Sequence, residues 1–169
     1  MKNKRYLTIV ILLILALMLA ASPVRASAMK TAVSGTLIWI SDPYEDPDAR
    51  WWLSGHLDSI YHFRYDIQEY EVITSDPRLS GWQILRVSGQ WFPTFLLVQG
   101  TSVFYADNTY TTPTWECTHQ GRFDEQGGVV DAVCKGVGAN TGLLARYTAT
   151  FPDENWNYAL QGYILEPGQ

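Results

Sequence analysis

The stretch WECTHQGRFDEQGGVVDAVCKG, residues 115–136, holds both cysteines of the chain and one of its three histidines. Three chemistries compete for it. Cys117, His119 and Cys134 are metal-ligand types, Cys117 with His119 resembles a nucleophile and its base, and the two cysteines alone make a structural bridge. Polar and apolar residues alternate on either side of a turn at Glu125 and Gln126, the period-2 pattern of two strands joined as a hairpin. Folded there, Cys117 faces Cys134, His119 faces Ala132, and Glu116 faces Lys135 as a cross-strand pair of opposite charge. Trp115, Phe123, Val130 and Ala132 then share the cysteine face. Directly facing residues in an antiparallel pair have α-carbons about 4.5–5.5 Å apart, within disulfide range. A zinc site needs four ligands, and only His119 accompanies the cysteines. His119 is also about 7 Å along the strand from Cys117, by strand rise. The bridge is the reading that fits.

The amino terminus supports it. Residues 1–6, MKNKRY, carry three positive charges, and residues 7–20 form a run of 14 that is apolar apart from Thr8. A small-residue segment ending Ala26-Ser27-Ala28 follows. This is the layout of a secretory signal, residues 1–28, cleaved after Ala28; a spanning helix wants about 20 apolar residues. The remainder, residues 29–169, is expected to be one secreted domain with no membrane attachment after cleavage. Outside the reducing cytoplasm two cysteines are most often bonded. The loop they close, about 18 residues, is worth roughly 3 kcal/mol by chain entropy.

Without the signal the chain keeps 8 basic and 17 acidic side chains, a formal net charge of −9. Such a surface repels phosphate backbones and anionic headgroups, which argues against nucleic acid and membrane-surface partners. The same alternation, punctuated by Gly, Pro, Asp and Asn, recurs through residues 33–40, 59–73 (with a break near Asp66), 82–90, 94–105, 114–123, 129–135, 143–151 and 158–165, with a short strand in 49–57. No helical period is sustained. About eight strands with short turns predict an all-β fold, a single antiparallel closed barrel with one hairpin disulfide. Closure removes the sheet edges that an aromatic-rich exported protein would expose.

Alternation also predicts which residues face inward. One set is Leu143, Ala145, Tyr147, Ala149 and Phe151; a second is Tyr61, Phe63, Tyr65 and Ile67; a third is Leu85, Val87, Gly89 and Trp91. His62, Arg64, Asp66 and Gln68 are expected outside. Residues 41–48 and 106–113 read as loops.

The carboxyl-terminal part carries a resemblance. KGVGANTGLLARYTATF (135–151), followed by a strand ending GYILEP (162–167), resembles the Gly-x-Gly-x-x-x-Gly-Leu hairpin of secreted bacterial domains related to the allene oxide cyclase and dirigent barrels. SDPRLSG (75–81) and the W-x-C-x-x-x-G-x-F of residues 115–123 add to it. The likeness extends over roughly residues 75–167 and implies the barrel. Relatives include an isomerase that cyclises an allene oxide in an apolar pocket, and proteins that guide radical coupling. No residue here matches a catalytic position of the cyclase. Gly136, Gly138 and Gly142 suit sharp turns at positive φ; a phosphate loop would need a helix after them.

Four candidate sites follow. Tyr61, Phe63, Tyr65, Trp91, Trp115 and Tyr147 are inward aromatics able to line a ligand pocket in an eight-stranded barrel. His119, on the same inner face, would titrate near neutrality. Asp42, Glu45, Asp46 and Asp48 offer oxygen ligands for calcium, without the spacing of a calcium-binding hand. Trp51 and Trp52, beside Arg50, are a possible sugar-stacking platform. No catalytic triad or inward carboxylate pair is placed by sequence, and nothing calls for a cofactor. The expected function is binding of a small, largely apolar molecule. An isomerase or cyclase of the barrel type and a carbohydrate-binding or adhesion module are the alternatives.

Overall fold

The computed structural model describes residues 28–42, 45–150, 155 and 157–167. All of the expected secretory signal except Ala28 therefore lies outside the described residues, as does Phe151. Among the described residues there are nine antiparallel strands: β1 (Met29–Ser41), β2 (Arg50–Ser54), β3 (Ile60–Thr74), β4 (Gly81–Trp91), β5 (Phe95–Tyr105), β6 (Pro113–Asp124), β7 (Gly127–Gly136), β8 (Leu144–Thr150) and β9 (Tyr158–Glu166). Among the described residues no helix is long and apolar enough to cross a membrane.

Strands β3 to β9 pair in sequence order. β1 then lies between β9 and β3, closing an eight-stranded barrel. β3 is long enough to serve two neighbours on one edge. Its carboxyl-terminal half pairs with β1, Gly35 opposite Thr74, and its amino-terminal half pairs with β2, Trp51 opposite Phe63. β2 is therefore a ninth strand that extends the wall at one end rather than a member of the ring.

The hairpin that decided the fold has the expected register throughout. Cys117 faces Cys134, Glu116 faces Lys135 and His119 faces Ala132, with no bulge, and Gly127 and Gly128 are paired with Asp124 and Phe123 at the start of β7. Cys117 and Cys134 are disulfide-bonded, with α-carbons 4.0 Å apart, and both are buried in the core.

One inner face differs from the expectation. Between Phe63 and Asp66 the pairing with β4 slips, so that Arg64 and Tyr65 together oppose Ser88. Tyr65 takes φ 64° there, and its amide donates to the Ser88 hydroxyl at 3.2 Å. A bulge of this kind inserts one residue and inverts the facing of everything after it. Tyr61 and Phe63 point inward as expected. Beyond the bulge Asp66, Gln68 and Tyr70 are the inward residues, while Tyr65 and Ile67 face out beneath the loop that links β1 to β2.

The barrel is plugged at one end and open at the other. At the plugged end the β3–β4 connection folds inward and buries Leu79 against Phe104, Trp115 and Ile164. The Arg78 carbonyl accepts from Trp115 Nε1 at 2.6 Å and from Asn140 Nδ2 at 3.1 Å. The Arg78 side chain pairs with Asp76 and Glu166, each at 2.6 Å. These bonds join the three motifs that carried the resemblance, SDPRLSG, the tryptophan of W-x-C, and the Gly-x-Gly turn. Of the glycines in that turn, Gly138 and Gly142 have positive φ. Gly136 serves otherwise: a β-carbon on it would lie 1.9 Å from the Asn140 carbonyl oxygen.

Candidate functional site

The open end leads into a cavity of about 680 Å³. Its mouth is framed by the β4–β5 turn (Trp91, Pro93, Phe95) and the β6–β7 turn (Phe123, Asp124, Glu125). The walls are apolar: Leu37, Phe63, Leu85, Val87, Val98 and Val130 all reach it. Val98 is flanked on its two neighbouring strands by Gly89 and Gly121, and the Phe63 ring packs over Gly89 in the place of a side chain.

The floor is polar. Gln83, His119 and Tyr147 line it, with Ser102 bonded behind them, and these four residues from four strands are all buried. Gln83 Nε2 donates to Ser102 Oγ at 2.8 Å and approaches Tyr147 Oη at 3.3 Å. Ser102 Oγ lies 2.7 Å from His119 Nε2. Either atom of that pair can donate, according to which imidazole nitrogen carries the proton. Burial lowers the His119 pKa to about 4, so the ring is neutral at neutral pH rather than titrating there as expected. The Tyr147 hydroxyl is shifted up by burial, offset in part by the Gln83 bond. Gln83 Oε1 is buried with no donor among the described residues, a costly omission in an otherwise paired cluster.

The acid-side consequence can be measured. A histidine whose folded pKa lies below its unfolded value of 6.5 leaves the unfolded chain with more bound protons between those two values. Stability is complete above about pH 6.5 and falls as the pH drops toward 4, by about 2 kcal/mol at pH 5 from this group alone. His119→Gln should flatten the slope of unfolding free energy against pH across that window, as read by urea unfolding at each pH.

A second polar strip runs up the wall after the bulge. Tyr70 Oη donates to Gln68 Oε1 at 2.9 Å, and Gln68 Nε2 donates to Asp66 Oδ2 at 2.8 Å. Burial is the main cause raising the Asp66 pKa, and burial likewise raises those of Tyr70 and Tyr158.

The structure brings together five of the expected lining residues, Tyr61, Phe63, Trp91, His119 and Tyr147. It removes two. Trp115 is fully buried in the plug because its indole N–H is bonded to the Arg78 carbonyl. Tyr65 is outside because of the bulge, lying under the guanidinium of Arg86 at 3.5 Å. Asp66, Gln68, Gln83 and Ser102 were not anticipated. Gln83 shares the phase of Leu85 and Val87, and the apolar set shifts from odd positions (61, 63) to even ones (70, 72) along β3. Those were the available signals.

The other candidates are dispersed. Trp51 and Trp52 are both half-exposed, but on opposite faces of β2. Trp51 reaches the cavity, whereas Trp52 stacks on His62 with centroids 4.8 Å apart. They form no shared sugar-stacking platform. Asp46 is held by Arg86 at 2.7 Å and by the Asp48 amide; the Arg86 hydrogen bond leads in lowering its pKa. Among the described residues no three His, Cys, Asp or Glu side chains converge on a metal-sized site.

Fold and site together define a closed antiparallel barrel with one plugged end and a one-sided apolar cup. No protein-family model, curated protein or solved structure matches the chain.

Proposed function

We propose that this is an extracytoplasmic protein that binds a small, largely apolar molecule in the cup. The observation that carries the reading is the cavity itself. About 680 Å³ of space with apolar walls and a few convergent polar groups at its base is the usual make-up of a small-molecule site. The disulfide suits an oxidising compartment, in line with the secretory signal read from residues 1–28. The neutral, mutually bonded floor can orient one polar group of a ligand.

Filling the cup tests this. Val98→Trp puts an indole into the cavity at the position between Gly89 and Gly121. Titration with the neutral dye Nile red should show at least about tenfold weaker binding than the parent protein, with the melting temperature nearly unchanged. Equal binding by both proteins, or none by the parent, would defeat the proposal.

The convergence of Gln83, Ser102, His119 and Tyr147 favours a second reading, an isomerase or cyclase of the barrel type in which His119 and Tyr147 polarise a bound substrate. Mass spectrometry of small molecules that co-purify with the exported protein separates the two. A binder returns its ligand unchanged after incubation, and an enzyme returns an isomer.

A further inference from the structure

We propose that the ligand of the cup is an organic cation, an apolar body with a protonated amine or quaternary ammonium head seated against Asp66. This rests on the cup being a ligand site, as proposed above.

The charges on its lining are one-sided. Asp66, Asp124 and Glu125 line the cavity, and among the described residues no lysine or arginine does. The nearest cations are turned away. Arg86 is engaged outside the wall by Asp46 at 2.7 Å and by the Tyr65 ring. Arg64 lies over the same ring and is exposed. Arg122, at the rim, lies over Phe95 and reaches Asp124 only at 4.0 Å.

Asp66 is therefore a half-buried carboxylate whose hydrogen-bond partner is the neutral amide of Gln68. A charge partly removed from water without a counter-ion is under-compensated, and an entering cation supplies what is missing. The direction of its pKa shift agrees with that environment. Asp66 and Trp51 also line an adjoining recess of about 440 Å³, where Asp42 and Glu45 add to the negative field. Asp46 is there too, but its charge is met by Arg86.

The aromatic content points the same way. Trp51, Tyr61, Phe63, Trp91 and Tyr70 reach the cavity, and the faces of such rings attract cations, tryptophan most strongly. A carboxylate-headed ligand of the same length would meet like charge at Asp66 and again at the mouth.

Three probes with one decyl chain decide the matter: decyltrimethylammonium, decanol and decanoate, each titrated below its aggregation limit and followed by tryptophan fluorescence. The cation should bind about tenfold more tightly than the alcohol, and decanoate most weakly. Asp66→Asn, which keeps the shape of the side chain, should abolish the preference, bringing the affinities of the cation and of decanol to within about twofold of each other. Equal binding of cation and alcohol by the parent protein would overturn the proposal, as would tightest binding of decanoate, while leaving the apolar cup intact. A preference that survives in Asp66→Asn would also overturn it, by tracing the effect to the acidic surface at large. Failure of all three probes would take down the cup reading itself.

Discussion

Trp115→Ala should lower the unfolding free energy by about 4 kcal/mol and the melting temperature by about 15 °C. Trp115 is one of the largest fully buried side chains of the barrel, and it packs with Leu79, Phe104 and Ile164 where the plug meets the wall. Removing the indole opens a void at a place poorly able to collapse, because the surrounding backbone is fixed in the sheet. It also takes one of two donors from the Arg78 carbonyl, leaving Asn140 alone. Trp115→Phe separates the two contributions: it retains most of the ring volume and loses the N–H bond, so it should cost about 1–2 kcal/mol. Urea unfolding of both variants measures this. A loss under 1 kcal/mol for Trp115→Ala would mean that the plug is not part of the cooperative core. Binding at the far end of the barrel should be largely retained in Trp115→Phe, since this side chain does not reach the cup.

Replacing both cysteines by alanine should cost about 3 kcal/mol. The bond joins residues 17 apart in sequence across adjacent strands, so it closes a short loop in the unfolded chain. In the folded state the register of β6 on β7 is already set by the backbone ladder and the packing of His119, Ala132 and Trp115. The fold should therefore survive without the bond, with a melting temperature about 10 °C lower. Adding reductant to the unaltered protein should reproduce the loss only after unfolding, because both sulfur-bearing residues are buried. A double alanine variant as stable as the parent would show that the unfolded chain gains little freedom when the bond is absent.

Much of the barrel was legible because strand alternation is local. The residues 115–136 hairpin fixes its own register through facing pairs, and the disulfide follows from the same short-range pattern. The limits of that logic are visible at particular residues. Periodicity placed Asp66 and Gln68 outside and Tyr65 inside, and the bulge at Arg64–Tyr65 reversed all three. A bulge is settled by how two strands fit side by side. Trp115 was correctly assigned to the inner face, but inward is not the same as cavity-lining. Whether an inner position belongs to plug or cup depends on the β3–β4 connection, which folds Leu79 over one end only.

From the sequence alone came the strands, their antiparallel pairing and the Cys117–Cys134 bond, because each rests on contacts between neighbours or on facing positions in one hairpin; closure was expected because it removes exposed edges, and β1 supplies it by pairing with β9 and β3. The tertiary structure alone decided that Gln83, Ser102, His119 and Tyr147 meet, that the barrel is hollow at one end, and that Asp66 looks into that hollow with no lysine or arginine among the described residues of its lining. Those facts depend on side chains from strands distant in sequence, whose distances are set by the curvature of the closed sheet and by one inserted residue in β3.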